Sequence, residues 1–269
     1  MSLQQNNTSA DQDYSDFARR IKAAYGLDLD SYKRHQMERR LRASMEKCGA
    51  TSFVGYFSLL QSNMDLRQEF LDRLTINVSE LFRNPDQFET LRDKVLSELL
   101  RDKSSLSVWS AGCSYGAEPY TLAILLAEMA PTGKHTILAT DLDDKMLARA
   151  KAGVFGETEV RGVSRQRLAK YFVHKPQGYV ARDDLRKWLN FRKHNLLESR
   201  FPCGFDLIVC RNVVIYFTDS AKSALYRRFF DSLSPGGYLF VGGTERINEA
   251  AEIGFENRIP FFYRKAVRN

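Results

Sequence analysis

The chain has 269 residues, enough for one large domain or for a large domain and a small one, and 43% of them are hydrophobic. No run approaches the ~20 consecutive apolar residues of a membrane span, so direct membrane insertion is not expected. The formal net charge of +7 implies attraction to acidic partners, and Phe17–Lys47 concentrates it, with nine Lys or Arg against four Asp or Glu. That excess reads either as a solvated helix face or as a docking surface.

In chain order, Met1–Asp16 is polar and lacks the basic-then-apolar plan of a signal peptide, which predicts a flexible lead. Tyr14–Tyr25, Ser31–Cys48, Ser52–Gln61 and Met64–Asn77 read as helices separated by Gly26, Gly49 and Gln61-Ser62-Asn63. Met37, Leu41 and Met45 form a stripe with four-residue spacing, while Arg39, Arg40 and Arg42 point elsewhere. No strand-like alternation precedes Leu106, so a helical domain over 17–83 is expected, with 84–269 as a second domain. Asn84 as N-cap and Pro85 at the first helical position start a helix running to about Arg101. The polar residues Asn77, Ser79 and Arg83 lie in the linking segment, either as part of a cleft or as a solvated linker.

Leu106–Ser110 reads as a buried strand, Ala111–Gly116 as a turn with two glycines, and Tyr120–Met129 as a helix. Ile137–Thr140 is the next strand and ends at Asp141, completing a β-α-β unit of a doubly wound sheet. The glycines do not follow Gly-x-Gly-x-x-Gly, and Glu118 near the helix start would repel a phosphate. Small residues at Gly112 and Gly116 would let a ligand approach the backbone, and Asp141 can accept bonds from a ribose diol. A ligand with a cation and a ribose suits this stretch, and S-adenosylmethionine has both; an ordinary strand-turn-helix is the other reading.

A longer excursion over Gly153–Trp188 interrupts the rhythm. It holds a helical piece near Ser164–Tyr171 and two β-capable runs, Tyr171–His174 and Gly178–Ala181. With Leu189–Arg192 these predict a small antiparallel insertion at about 171–192. The sheet is expected to resume at Asn195-Leu196 and at the apolar Phe205–Cys210, which precedes Arg211-Asn212 and Tyr216. Asp219–Leu233 reads as a helix, and Tyr238–Gly242 and Phe261–Arg264 as closing strands. Cys48, Cys113, Cys203 and Cys210 lack paired spacing and read as reduced thiols, and four scattered histidines argue against a metal site.

Asn77-x-Ser-x-x-Phe-Arg83, Ala111-Gly-Cys-Ser-x-Gly-x-Glu-Pro-Tyr120, Ala139-Thr-Asp-Leu142, His194-Asn-Leu196 and Cys210-Arg-Asn-Val-x-Ile-Tyr-Phe217 occur in this order. Together they resemble the CheR family of bacterial chemotaxis receptor methyltransferases over nearly the whole chain. The family more often has Thr at Ser79 and Phe at Leu81; Ser keeps the hydroxyl. The resemblance implies an α/β, Rossmann-like S-adenosylmethionine-dependent methyltransferase domain preceded by an all-helical one. It implies methyl transfer to glutamate side chains on the cytoplasmic signalling domain of chemotaxis receptors, with S-adenosylhomocysteine as product. The implied cofactor contacts are Asn77, Ser79, Arg83, Glu118, Asp141, Asn195, Leu196, Arg211 and Asn212. Asp141 would take the ribose hydroxyls, Glu118 would lie near the methionyl ammonium, and Asn195-Leu196 would frame the adenine. Arg83 and Tyr216 are the candidates for holding the incoming carboxylate, and Arg39, Arg40 and Arg42 for receptor docking.

A nucleic-acid methyltransferase is the rival enzyme class, but the turn Asn212-Val-Val-Ile-Tyr216 lacks the prolines of amino-methylating DNA enzymes. A non-enzymatic sensor of S-adenosylmethionine is the other class, and Arg83 with Tyr216 argues against it. In the family that the chain resembles, members that bind a receptor C-terminal peptide tether carry a longer, glycine-containing loop in the β insertion. Here the run His174–Gly178 is short and stiffened by Pro176, so the resemblance implies independence of such a tether.

Overall fold

The computed structural model describes residues 2–74 and 79–267, with side chains from Asp11 onward. The chain divides into two compact units, one ending at Ile76 and rejoined by Tyr216–Lys222, the other holding Asn77–Ile215 and Ser223–Asn269.

The first unit is helical: α1 (Ser2–Tyr25), a 3-10 turn (Leu29–Ser31), α2 (Arg34–Cys48), α3 (Phe53–Ser62) and α4 (Met64–Leu74). Tyr14, Phe17, Ala18 and Ile21 recur at helical spacing on α1, and all are buried. Phe17 stacks on Tyr56, ring centroids 6.0 Å apart, and meets Phe70 edge-on at 6.2 Å. Gly49 ends α2 in the left-handed region at φ 72°, where its amide and that of Ala50 close the last turn.

From Asp11 onward, where side chains are described, the segment expected as a flexible lead is part of α1 and makes tertiary contacts. Among the residues with described side chains, Asp13 accepts from the Phe53 and Val54 amides at 2.7 and 3.0 Å, capping α3 from another helix. Tyr14 packs edge-on to Phe53, and Asp11 pairs with Arg34 at 2.6 Å. These are tertiary contacts, which a polar sequence does not announce. Tyr216–Thr218 joins this unit in antiparallel fashion: Lys33 N–H donates to the Tyr216 carbonyl at 2.9 Å, and Thr218 N–H to that of Ser31 at 2.8 Å.

The second unit opens with α5 (Pro85–Thr90), a π-helical stretch (Leu91–Leu96) and α6 (Ser97–Leu99). Then follow β1 (Ser107–Ala111), α7 (Ala117–Met129), β2 (Thr136–Asp141), α8 (Asp144–Ala152) and β3 (Val154–Phe155). Next are α9 (Arg165–Tyr171), β4 (Phe172–Lys175), β5 (Gly178–Ala181), α10 (Asp183–Arg186) and β6 (Leu189–Lys193). The unit closes with β7 (Phe205–Cys210), α11 (Asp219–Ser232, its first residues grouped with the helical unit), β8 (Leu233–Val241), α12 (Ala250–Ile253), β9 (Phe255–Ile259) and β10 (Phe262–Lys265).

The seven-stranded sheet runs β6-β2-β1-β7-β8-β10-β9. Its first five strands pair in parallel, and β10 is antiparallel to both neighbours. Strand order reverses between β1 and β7, so the crevice at their carboxyl ends is the topological switch point. Every residue of β7 is buried, as a central parallel strand requires.

Four expectations are corrected. Leu189–Arg192 is not part of the small sheet, whose order is β3-β5-β4; β6 pairs in parallel with β2 from Ile137↔Leu189 to Asp141↔Lys193. As an edge strand it exposes alternate residues, and its pattern therefore imitates an antiparallel insertion. Asn195-Leu196 forms a turn rather than a strand, and β9 forms an edge that the sequence reading omitted. The boundary expected at Arg83 falls earlier, because Leu81 N–H donates to the Glu159 carbonyl at 2.9 Å and Phe82 N–H to Thr121 Oγ1 at 3.0 Å.

Asp13→Ala should destabilise the protein by about 1–2 kcal/mol, the range for loss of a helix cap. Urea unfolding of the full chain measures it, and an unchanged midpoint would show that the Phe53 and Val54 amides need no partner from α1.

Candidate active site

The carboxyl ends of β1, β2, β6 and β7 place Asp141, Asn195 and Leu196 on one side and Glu118, Arg83 and Arg211 in a second hydrogen-bonded group of the second unit. Asp141 ends β2. Its Oδ2 accepts from the Ser114 amide at 2.7 Å and its Oδ1 from the Asp143 amide at 3.0 Å. A carboxylate offers about four acceptor positions, so capacity remains for a diol. Burial raises the Asp141 pKa, with the Asp143 and Ser114 amides opposing. The His194 amide donates to the Asp141 carbonyl at 2.9 Å, tying the end of β6 to that of β2. Beyond it, Asn195 Oδ1 accepts from the Leu197 amide at 3.0 Å, and the buried Leu196 gives its carbonyl to Arg228 at 2.7 Å.

Glu118 lies in the first turn of α7 and is mostly covered, its side chain 13% exposed. Its Oε1 accepts from Ser110 Oγ at 2.7 Å, and Arg211 Nη1 stands 3.8 Å from its Oε2. Burial raises its pKa, while Arg211 and the Ser110 bond lower it. Arg211 follows β7. Its guanidinium lies between the rings of Phe88 and Phe240, 5.0 and 4.7 Å from their centroids. Its Nη2 donates to the Arg83 carbonyl at 3.1 Å, Asn84 Oδ1 at 2.9 Å and Gln87 Oε1 at 2.8 Å. Its Nε is buried without a partner among the described residues.

Asn84 therefore differs from expectation. It precedes Pro85 as predicted, but at φ 62° its side chain makes no cap bond and serves Arg211 instead. A Cβ on Gly112, at φ 83°, would lie 2.5 Å from Val213 Cγ2, and one on Gly116 3.0 Å from Ala150 Cβ. Both positions exclude side chains on the Cβ side, where protein neighbours already stand.

Ser79 is half-buried, and its backbone lowers the raised pKa of Tyr115 by hydrogen bonding. Arg83 is half-buried and joins the network through its carbonyl. Asn77 lies outside the described residues. Tyr216 belongs to the helical unit, where the Arg40 guanidinium sits 4.4 Å from its ring centroid. Arg42 lies over Phe53 and pairs with Glu38 at 3.4 Å, whereas Arg39 is exposed. Sequence reasoning missed Gln87 and Glu245. The latter follows Gly242-Gly243-Thr244 after β8, a carboxylate beyond a glycine pair at a strand end, which was the available signal.

Burial pushes the Cys113 and Cys210 thiols well up, with neighbouring carboxylates adding to the effect, so neither presents a thiolate. Among the described residues no group of three or more His, Cys, Asp or Glu could hold a metal ion, and no helix is long and apolar enough to cross a membrane.

The chemistry of this donor set fits S-adenosylmethionine. Asp141 has acceptor capacity for ribose hydroxyls, and a mostly covered carboxylate and an unsatisfied guanidinium nitrogen lie side by side as an amino-acid zwitterion requires. Family models described as "CheR methyltransferase, SAM binding domain" and "CheR methyltransferase, all-alpha domain" match residues 77–258 and 12–75. The chain is 41% identical to the chemotaxis protein methyltransferase of Listeria innocua, over 95% of this chain and 98% of that one. It is 36% identical to chemotaxis protein methyltransferase 1 of Pseudomonas aeruginosa, over 90% and 92%, and 34% identical to the Escherichia coli chemotaxis protein methyltransferase, over 83% and 80%. The chain belongs to the CheR methyltransferase family.

Glu118→Gln tests the mostly covered carboxyl through stability. A carboxyl with a raised folded-state pKa binds its proton more tightly folded than unfolded. Its stabilising share is complete below the ordinary value of 4.5 and is lost as pH rises through the folded value. Relative to the parent, Glu118→Gln should therefore gain melting temperature as pH rises from 4.5 toward neutrality. A difference independent of pH would show that burial does not raise this group.

Proposed function

We propose that the protein transfers the methyl group of S-adenosylmethionine to glutamate side chains in the signalling domain of chemotaxis receptors, forming methyl esters in the cytoplasm. The observation that carries this reading is the Asp141, Glu118 and Arg211 constellation, in a chain 41% identical along nearly its whole length to a chemotaxis protein methyltransferase.

Asp141 accepts from the ribose, Glu118 receives the ammonium, and Asn195-Leu196 frames the adenine. Asn77, Ser79, Arg83, Arg211 and Asn212 complete the cofactor contacts. A glutamate carboxylate, with an unperturbed pKa of about 4.3, is ionised at neutral pH and needs no general base. The methyl donor is a sulfonium that is already activated. The protein's contribution is in-line positioning and exclusion of water, worth up to ~7–11 kcal/mol in well-oriented systems. Arg83 and Tyr216 hold one oxygen of the incoming carboxylate and leave the other to attack, since a bidentate clamp would blunt the nucleophile.

The basic α2 supports an acidic partner, with Arg39, Arg40 and Arg42 as the docking residues. Arg40 has a second contribution: its contact with the Tyr216 ring orients a candidate catalytic group.

Incubation with methyl-labelled S-adenosylmethionine and receptor-bearing membranes should place base-labile label on a receptor-sized protein. Tyr216→Phe should lower the rate more than it lowers S-adenosylhomocysteine affinity, and charge reversal at Arg39, Arg40 and Arg42 should raise KM for receptor. Base-stable label, or label in nucleic acid, would overturn the ester reading.

The reading extends to tether independence. The β4–β5 hairpin pairs Lys175 with Gly178, leaving only Pro176-Gln177 in the turn, a short and stiff connection. β4 is nonetheless the outer strand of its sheet, the side on which an added strand would pair. Calorimetry with a receptor C-terminal pentapeptide should give no heat at micromolar concentrations. Binding abolished by substitutions in Phe172–Val180 would overturn independence and leave the ester reading intact.

A further inference from the structure

Glu245 is a buried carboxylate with no part in the chemistry above. It follows β8, yet its side chain reaches the turn that leaves β7. Oε2 accepts from the Asn212 and Gly242 amides, both at 2.7 Å, and Oε1 accepts from the Val214 amide at 3.0 Å. The Val213 amide also hydrogen-bonds to this carboxylate. Only a carboxylate fits this arrangement. Donors converge on both oxygens, and no other side chain offers two acceptor atoms with no donor.

The surroundings are built around it. Asn212 is held at φ 60°, in the left-handed region that non-glycine residues rarely adopt. The adjoining Val213 fills the space over Gly112, at the turn after β1. Gly242 leaves room for the carboxylate, since a Cβ there would lie 2.5 Å from Glu245 Oε2 and 3.0 Å from Asn212 N. Burial raises the Glu245 pKa, and the converging amides oppose that rise.

We propose that Glu245 is a positioning residue of the methyl-donor site, an anionic clamp that holds Arg211–Val214 in the one conformation in which Arg211 and Asn212 meet the cofactor. The proposal rests on the reading of those two residues as cofactor contacts. A residue that merely filled space would be replaced without consequence by glutamine, which has the same shape. A clamp would not, because the carboxamide nitrogen is a donor and one pair of amides would then face it.

The test uses the full chain carrying Glu245→Gln. Circular dichroism establishes that the fold is kept, calorimetry gives S-adenosylhomocysteine affinity, and amide hydrogen exchange resolves Asn212–Val214 from β1. Affinity should fall about tenfold to a hundredfold, the equivalent of one unsatisfied buried donor. Exchange protection should be lost at Asn212 and Val214 and retained across Ser107–Ala111. Parental affinity with the turn still protected would overturn the proposal.

If Glu245→Gln does not fold, Gly242→Ala tests the same clamp by displacing Oε2 while keeping the charge, and the same two outcomes decide. Asn212→Ala separates the clamp from the cofactor assignment on which it rests. Unchanged affinity in Asn212→Ala would remove that residue from the cofactor site. Loss of affinity there without loss in Glu245→Gln would overturn the clamp alone.

Discussion

The Arg211 guanidinium is a cation taken out of water at the point where strand order reverses. An isolated buried charge would cost several kcal/mol, so its neighbours are constrained by the need to satisfy it. One nitrogen gathers three acceptors from residues 83–87, two aromatic faces cover the plane, and the Glu118 carboxylate stands 3.8 Å away. The segment leading into α5, the first turn of α7 and the end of β7 thus share one electrostatic requirement. The partly unsatisfied charge left beside Glu118 is what suits the site to a zwitterionic ligand.

Backbone strain gathers at the same place. Phe82, Asn84, Ser114 and Asn212 have positive φ without being glycine. Such residues cost roughly 1–3 kcal/mol each and persist only where the surroundings over-determine them. Each has an identifiable restraint here: Thr121 Oγ1 for Phe82, Arg211 for Asn84, Asp141 for Ser114 and Glu245 for Asn212. Two of the four restraints are buried carboxylates held by backbone amides, so the anions that shape the crevice are stabilised by the turns they hold. A rigid crevice of this kind suits a reaction in which neither partner needs chemical activation and positioning is the main contribution.

The helical unit contributes differently. Its aromatic centre, with Phe17, Tyr56 and Phe70 in contact, leaves the charged face of α2 turned outward. Arg34, Glu38 and Arg42 form a surface chain of ion pairs that screens much of the charge, whereas Arg39 stands exposed. Surface pairs of this kind add little stability, which leaves the face available for recognition of an acidic partner. Three of these basic residues also lie over aromatic rings of the same unit: Arg34 over Tyr14, Arg40 over Tyr216 and Arg42 over Phe53.

The amino-acid sequence by itself determined the β-α-β unit ending at Asp141, the all-helical region before it and the family, because these rest on local periodicity and on motifs read in order along the chain. Asp141 stood out from its place at a strand end after a glycine turn, whereas Glu118 and Arg211 were named as cofactor contacts only through the family motifs read in order. Only the tertiary structure decided that β6 joins the main sheet, since an edge strand with one covered face carries the same alternation as a strand in an insertion. The roles of Asn84, Gln87 and Glu245 were hidden for a related reason. Their partners are 127, 124 and 33 residues away, and the need to satisfy buried donors is a property of the folded interior that no local pattern records. Gly112 in the β1 turn makes the same point, because what fills the space beside it is Val213, about a hundred residues downstream, brought there by the parallel pairing of β1 with β7.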